Sequence, residues 1–307
     1  MLSNRKIVIL GAGHVGSHCA YSLAMQAVCD ELVLVDTDAV KAQSQAMDLA
    51  DAGLFYPAGV KIRAGSYADC HDADIVVVAA GVPRLPGQTR LDVMNGTVEA
   101  MKGLCRDLKA AAPQGIVITI SNPCDVIADY IRRHAGLDAR RVFGTGTGLD
   151  TARARRVFAA QLGVDVRSVS LYALGEHGDS SMLPFSCASV GGQPYVPGSV
   201  DEAYTLSRTH EIGMDIIEGK GSTEFGIGSV LAQAARAVLC DEKRILPASA
   251  FLGGEYGHAG FHIGVPCVIG RGGVESVVAL PLTESEQAAF DASCAVVEHH
   301  VALAEQL

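Results

Sequence analysis

The sequence has no apolar run of eighteen residues or more, no Cys-x-x-Cys pair, no internal repeat and no block of like charge. The first absence excludes a membrane-spanning helix, which needs about twenty consecutive apolar residues. The opening MLSNRKIVILGAG reads as a buried first strand rather than a secretory leader. Its apolar run is only Ile7 to Leu10, and it meets a Gly-rich turn with no small-residue cleavage site. The expectation is a soluble, cytoplasmic protein. Nine cysteines, an odd number at unpaired spacings, read as reduced thiols packed as small hydrophobes. No Cys/His cluster suggests a metal site. Positive charge is scarce: 24 Lys and Arg stand against 34 Asp and Glu. The resulting net charge of -10 disfavours nucleic acid or an anionic membrane as partner. It leaves a small anionic substrate open, because a local group of arginines overrides the global field.

Hydrophobic residues make up 49% of 307 residues, enough for one large or two modest domains. The first half alternates strand and helix signals. Strands are expected at 6–10, 31–36, 61–64, 74–80 and 116–120, and helices at 15–29, 39–50 and 91–112. Continuous runs such as IVVVAA and IVITI suit parallel strands buried on both faces. The alternation predicts an α/β fold with a Rossmann-type, doubly wound parallel sheet. After about Gly144 the texture changes. A helix at 149–161 leads into strand-like SVSLYAL. Helices at 201–218 and 226–240, strands at 245–251, 261–269 and 274–280, and a helix after Thr283 follow. This predicts an α+β substrate-binding and catalytic domain over 146–307, behind a dinucleotide-binding domain over 1–145.

Gly11, Gly13 and Gly16 form G-x-G-x-x-G between the first strand and a helix. The first glycine permits the tight turn, the second lets backbone approach a pyrophosphate, and the third allows close helix–sheet packing. Helix N-terminal amides then favour phosphate. Taken alone, the motif also fits a structural turn. Asp36, twenty residues beyond Gly16 and ending LVLVD, adds a side chain that accepts hydrogen bonds from ribose hydroxyls and repels a 2'-phosphate. Together they predict NAD as cofactor, over NADP.

Hydride transfer to a ketone further requires a proton donor, a cation to polarise the carbonyl and a grip on the substrate. Four segments can supply these. GEHGDS places His177 between Gly175 and Gly178, which suits an exposed turn better than a packed core. GTGTGLDTARAR sets Asp150 and Arg153 three apart, on one helical face. A carboxylate there can orient an imidazole, and an arginine can hold a carboxylate in two hydrogen bonds. Such a pair is otherwise usually a surface ion pair. The loop AGVPRLPGQTR (80–90) carries Arg84 and Arg90 at a strand end, where ligands bind in such sheets, and its glycines and prolines suit a mobile lid. SNP (121–123) offers Asn122, either as a turn residue or as a polar contact to nicotinamide or substrate.

These motifs occur in the order of a known family. Through GAGHVG, VDTD, AGVPRLPGQTR, SNP, GTGTGLDTARAR, GEHGDS and GIGSVLAQAARAVL, the chain resembles the L-lactate/L-malate dehydrogenases along nearly its whole length. The resemblance implies that His177 carries the proton and that Asp150 is its partner. It also implies that Arg153 holds the C1 carboxylate, that Arg90 polarises the carbonyl, and that Asn122 lines the site. A homotetramer or homodimer is implied as well.

The family's discriminating lid position is Arg84, where malate enzymes carry arginine and lactate enzymes commonly glutamine. A buried cation facing a methyl group would be unpaired, so malate/oxaloacetate is expected ahead of lactate/pyruvate. KGSTEFGIG, with Thr223 limiting pocket volume, resembles the lactate branch instead. Arg155 matches one arginine of the sugar-phosphate activation site of bacterial lactate enzymes, but Cys187 stands where those enzymes place histidine. That difference argues against such activation. Two other readings are an NAD-dependent glycoside hydrolase, which requires a Cys/His metal site, and a catalytically silent NAD-binding sensor.

Overall fold

The computed structural model describes residues 5–82 and 90–307, with the backbone alone at 90–92. The first half builds β1 (Lys6–Leu10), α1 (His14–Met25), β2 (Glu31–Val35), α2 (Ala39–Asp51), β3 (Lys61–Ala64) and β4 (Ile75–Val78). It continues through α3 (Arg90–Ala111), β5 (Ile116–Thr119), α4 (Cys124–Ala135) and β6 (Val142–Gly144). These six strands pair in parallel in the order β3-β2-β1-β4-β5-β6. Every residue of β1, β2, β4 and β5 is buried, because helices cover both faces and leave no solvent side. The chain reverses its direction of winding between β1 and β4, the crevice where such sheets bind dinucleotides.

The second half forms α5 (Gly148–Leu162), β7 (Val169–Ser170), β8 (Ser189–Val190), β9 (Gln193–Pro194), α6 (Glu202–Lys220) and α7 (Phe225–Leu239). Then come β10 (Arg244–Gly253), β11 (Ala259–Gly270), β12 (Gly273–Val277) and α8 (Glu284–Ala304). The antiparallel set β10, β11 and β12 joins the parallel sheet through β6, making one nine-stranded sheet. A satellite core around Ala154, Phe158, Leu171 and Tyr195 holds α5 against the short sheet β7-β8-β9.

Several elements differ from the sequence expectations. Helix α1 stops at Met25 rather than Cys29, because Ala27 takes a positive φ and Val28 turns back to donate to the carbonyl of Leu23. SVSLYAL supplies only Val169 and Ser170 to a strand. Its other apolar residues are held by core packing and by a single bridge between Leu174 and Met182. Helix α4 and strand β6 have no counterpart among the expected elements. Polar Asp125, Asp129, Arg132 and Arg133 interrupt the apolar pattern of α4, and β6 is only three residues long. All nine cysteines are free thiols, and seven of them are buried. Among the described residues no helix is long and apolar enough to cross a membrane.

Candidate active site

Strand ends build the first half of the site. Gly11 follows β1 with φ +109°, and a Cβ there would lie 2.7 Å from the carbonyl oxygen of Ala79 at the end of β4. A methyl at Gly16 would lie far inside van der Waals contact with the Gly11 carbonyl oxygen, so glycine sets how closely α1 approaches β1. Gly13 is different, since the nearest atom to a Cβ there would be Lys41 Nζ at 3.9 Å. It begins α1 with no side chain capping the helix, so open space meets uncommitted amides and the positive end of the helix dipole.

Asp36 ends β2. Its Oδ2 accepts from the Ala12 amide at 2.7 Å and its Oδ1 from the Asp38 amide at 3.0 Å. Burial opposes its charge, but these amides and Lys41 outweigh it and hold the carboxyl below its usual range. An ionised acceptor beside an anion-friendly turn fits a dinucleotide whose ribose hydroxyls are free.

The second half is organised by α5. Asp150 sits in its first turn and Arg153 one turn later, with Arg153 Nη1 donating to Asp150 Oδ1 at 3.3 Å. Rather than a surface ion pair, the two side chains are only 8% and 10% exposed. Asp150 Oδ2 meets His177 Nδ1 at 2.5 Å. One carboxylate thus joins the imidazole to the guanidinium. The imidazole is one-quarter exposed, so the glycine-flanked segment is a packed loop and not the exposed turn expected. Gly213 on α6 backs Arg153, and a Cβ there would lie 3.2 Å from Arg153 Nη1. A cavity of about 290 Å³ brings Arg153 and Thr223 together with Leu149, Ile212 and Ile216.

The charges in this cluster are coupled. The Asp150 carboxylate raises the proton affinity of His177 despite burial. Burial works against the Asp150 charge in turn, yet His177 and Arg153 keep it ionised below the usual range. Burial also lowers the Arg153 guanidinium, which Asp150 partly offsets. With Nδ1–H committed to a carboxylate, Nε2 is the nitrogen left to exchange a proton.

The backbone around His177 is held from three sides. Gly175 exchanges both backbone hydrogen bonds with Gly264 of β11. The Glu176 amide donates to Ser293 Oγ of α8 at 2.8 Å, and the His177 amide donates to Asp125 Oδ2 of α4 at 2.8 Å. Asp125 Oδ1 accepts from Ser249 Oγ of β10 at 2.6 Å. None of Asp125, Ser249 and Ser293 was among the expected site residues. The one local signal was an aspartate just after SNP, in the first turn of a helix.

Asn122 is exposed at the carboxyl end of β5, three residues before Asp125. Arg90 opens α3, and its side chain lies outside the described residues, as does Arg84 altogether. Arg155 lies apart from the His177 cluster, donating to the Leu171 carbonyl and covering the Tyr172 ring at 4.8 Å. Cys187 Sγ meets the Pro281 carbonyl at 3.6 Å.

Residues 5–144 match the NAD binding domain of lactate/malate dehydrogenase, and residues 147–306 match its alpha/beta C-terminal domain. An L-lactate dehydrogenase of Fusobacterium nucleatum subsp. nucleatum is 39% identical over 98% of this chain and 97% of its own. L-lactate dehydrogenase 3 of Bacillus cereus is 41% identical over 93% of each chain. The ligand-bound minor L-lactate dehydrogenase of Enterococcus mundtii superposes with a TM-score of 0.94 at 37% identity, covering 98% of both chains. The lactate dehydrogenase of Cryptosporidium parvum, solved with lactic acid and NAD, gives a TM-score of 0.94 at 28% identity over 100% of both chains.

Proposed function

Because the chain belongs to the lactate/malate dehydrogenase family, an NAD-dependent 2-hydroxy acid oxidoreductase, we propose that its reaction is the interconversion of L-lactate and pyruvate. The observation that carries the chemical reading is the junction at Asp150. A single buried carboxylate meets His177 Nδ1 through one oxygen and Arg153 through the other, and Arg153 lines the same cavity as Thr223.

Bound NAD supplies the nicotinamide carbon that donates or accepts the hydride. Gly11, Gly13, Gly16 and Asp36 would hold it, the glycines by close backbone approach to its pyrophosphate and Asp36 by accepting from its ribose hydroxyls. Arg153 pairs with the substrate's C1 carboxylate, since a guanidinium fork matches that group in two hydrogen bonds. In reduction, the keto carbon gains the hydride while protonated His177 gives its Nε2 proton to the carbonyl oxygen, leaving a hydroxyl and a neutral imidazole. Asp150 keeps the imidazole oriented and favours the cation before transfer. Oxidation reverses the order, with neutral His177 as base. Arg90 is assigned to polarising the carbonyl, Asn122 to a polar contact at the β5 strand end, and Thr223 to restricting the volume beside the substrate.

The substrate order expected from Arg84, malate before lactate, is reversed here. Relatives at 39% and 41% identity over nearly the whole chain are L-lactate dehydrogenases, which favours a methyl rather than a second carboxylate at C3. Oxaloacetate stays as the second reading on the charge of Arg84 alone. Oxidation of NADH at equal concentrations of pyruvate and oxaloacetate separates the two. A higher kcat/KM for pyruvate is expected, and a higher value for oxaloacetate overturns the assignment. His177→Asn should lower turnover by about 10³-fold or more while NADH still binds, and near-normal turnover removes His177 from its role. A homotetramer or homodimer is proposed as the assembly, to be measured by sedimentation.

A further inference from the structure

Asp125 is a buried carboxylate that the reaction as described does not use. It lies in the first turn of α4, is 3% exposed, and joins three elements distant in sequence. One oxygen accepts from the backbone amide of His177, 52 residues away, and the other from the hydroxyl of Ser249, 124 residues away. Its two donors are thus the amide of the proton carrier itself and a fully buried hydroxyl on β10. A carboxylate wholly removed from water costs several kcal/mol unless compensated. An asparagine at this position would accept from the His177 amide through its one oxygen and donate through its NH2 to Ser249 Oγ, with that hydroxyl turned to accept, and would carry no such cost. The charge therefore calls for an explanation that the hydrogen bonds alone do not provide.

We propose that Asp125 is a positioning residue for proton transfer, fixing the main chain of His177 and placing a second negative charge near it, without touching substrate. The inference rests on His177 being the proton carrier. Two carboxylates then bracket one histidine. Asp150 on α5 binds Nδ1 directly, and Asp125 on α4 acts through the peptide and through its field. Both charges raise the proton affinity of His177, Asp150 more strongly. Among the described residues, Arg153 on α5 opposes protonation of His177, and Glu176 in the His177 loop, which accepts from Ser180, acts on Asp125. The thiols Cys124 on α4 and Cys294 on α8 also face Asp125, but burial pushes both up to about 12 and keeps them neutral. On α6, His210 acts on Asp150 and is bonded to Ser181. Burial pushes the Asp125 carboxyl up to about 6, so the second charge is present at neutral pH and is withdrawn on mild acidification.

The test is the pH dependence of kcat/KM for the 2-oxo acid that the wild type reduces, measured in Asp125→Asn. Asparagine keeps an oxygen for the His177 amide and can reach Ser249, so it removes charge while conserving shape. We expect the alkaline limb, where His177 loses its proton, to move to lower pH by about half a unit, a roughly threefold loss at high pH. The KM and the NADH affinity by fluorescence titration should change less than about twofold, the split expected of a group that acts only on proton transfer. Ser249→Ala, which removes a donor that favours the charged carboxyl, should move the limb in the same direction by less. A limb superimposable on wild type in folded Asp125→Asn overturns the proposal, as does an equal loss of NADH affinity and turnover. Should Asp125→Asn fail to fold, an unmoved limb in folded Asp125→Ser, which also removes the charge, overturns it instead. If His177→Asn retains turnover, the assignment of the proton carrier itself fails. If His177→Asn is inactive and the limbs are unmoved, only the role of Asp125 does.

Discussion

Replacing Asp150 by asparagine isolates the contribution of the charge that the site is built around. The side chain is 8% exposed, touches His177 Nδ1 at 2.5 Å and touches Arg153 at 3.3 Å. Asparagine is nearly the same size and keeps an oxygen toward Nδ1–H, so the geometry is largely retained while the anion is lost. An opposite charge at this range typically favours the charged partner by about 1.4–4 kcal/mol. A middle value of about 2.7 kcal/mol is a hundredfold change in the protonation equilibrium.

The His177 proton affinity, raised by Asp150 in the wild type, falls in the variant because burial is then opposed only by the weaker effect of Asp125. Reduction needs the imidazolium, so at a pH above both titrations kcat/KM for the 2-oxo acid falls about a hundredfold. At low pH, where both proteins are protonated, the ratio narrows to the loss caused by imperfect orientation alone. Oxidation of the hydroxy acid needs neutral His177, and its acid limb shifts to lower pH. Steady-state kinetics between pH 5 and 10 in both directions read all of this. A wild-type-to-variant ratio that does not change with pH would refute the electrostatic account and leave only orientation.

Two further perturbations probe the frame around the site. Gly16→Ala forces a methyl against the Gly11 carbonyl and should push α1 off the sheet. NADH affinity is expected to fall at least about tenfold, with a stability loss of about 1–3 kcal/mol from overpacking, and unchanged fluorescence titration would contradict this. Asp69 is held down to about 2, first by Arg63, with further help from the Ser66 amide and Lys6. Its contribution of about 2 kcal/mol should therefore be complete above pH 4 and vanish as pH falls through about 2. Urea unfolding from pH 6 to 3 should show a shallower decline in Asp69→Asn, and parallel declines would exclude the pair as a source of acid lability.

What the chain encodes locally was open to reading. The glycines at 11, 13 and 16 with Asp36 form a contiguous strand–turn–helix–strand unit, and each residue acts on neighbours that the backbone itself brings near. The parallel sheet was legible because strands buried on both faces must be apolar throughout. Asp150 and Arg153 share a helical face by spacing alone.

Tertiary structure decided everything that depends on remote partners. That Asp150 and Arg153 are buried rather than a surface pair depends on α6 and the His177 loop lying over them. That His177 is packed and clamped depends on Ser293, Gly264, Asp125 and Ser249, drawn from four other elements. Helix α4 shows the same division. Its polar residues break the apolar pattern because they serve contacts across the fold, as Asp129 does with His262 and Asp125 with His177. Hydrophobic periodicity registers which face a residue turns inward. It carries no record of which distant carboxylate or hydroxyl will meet it there.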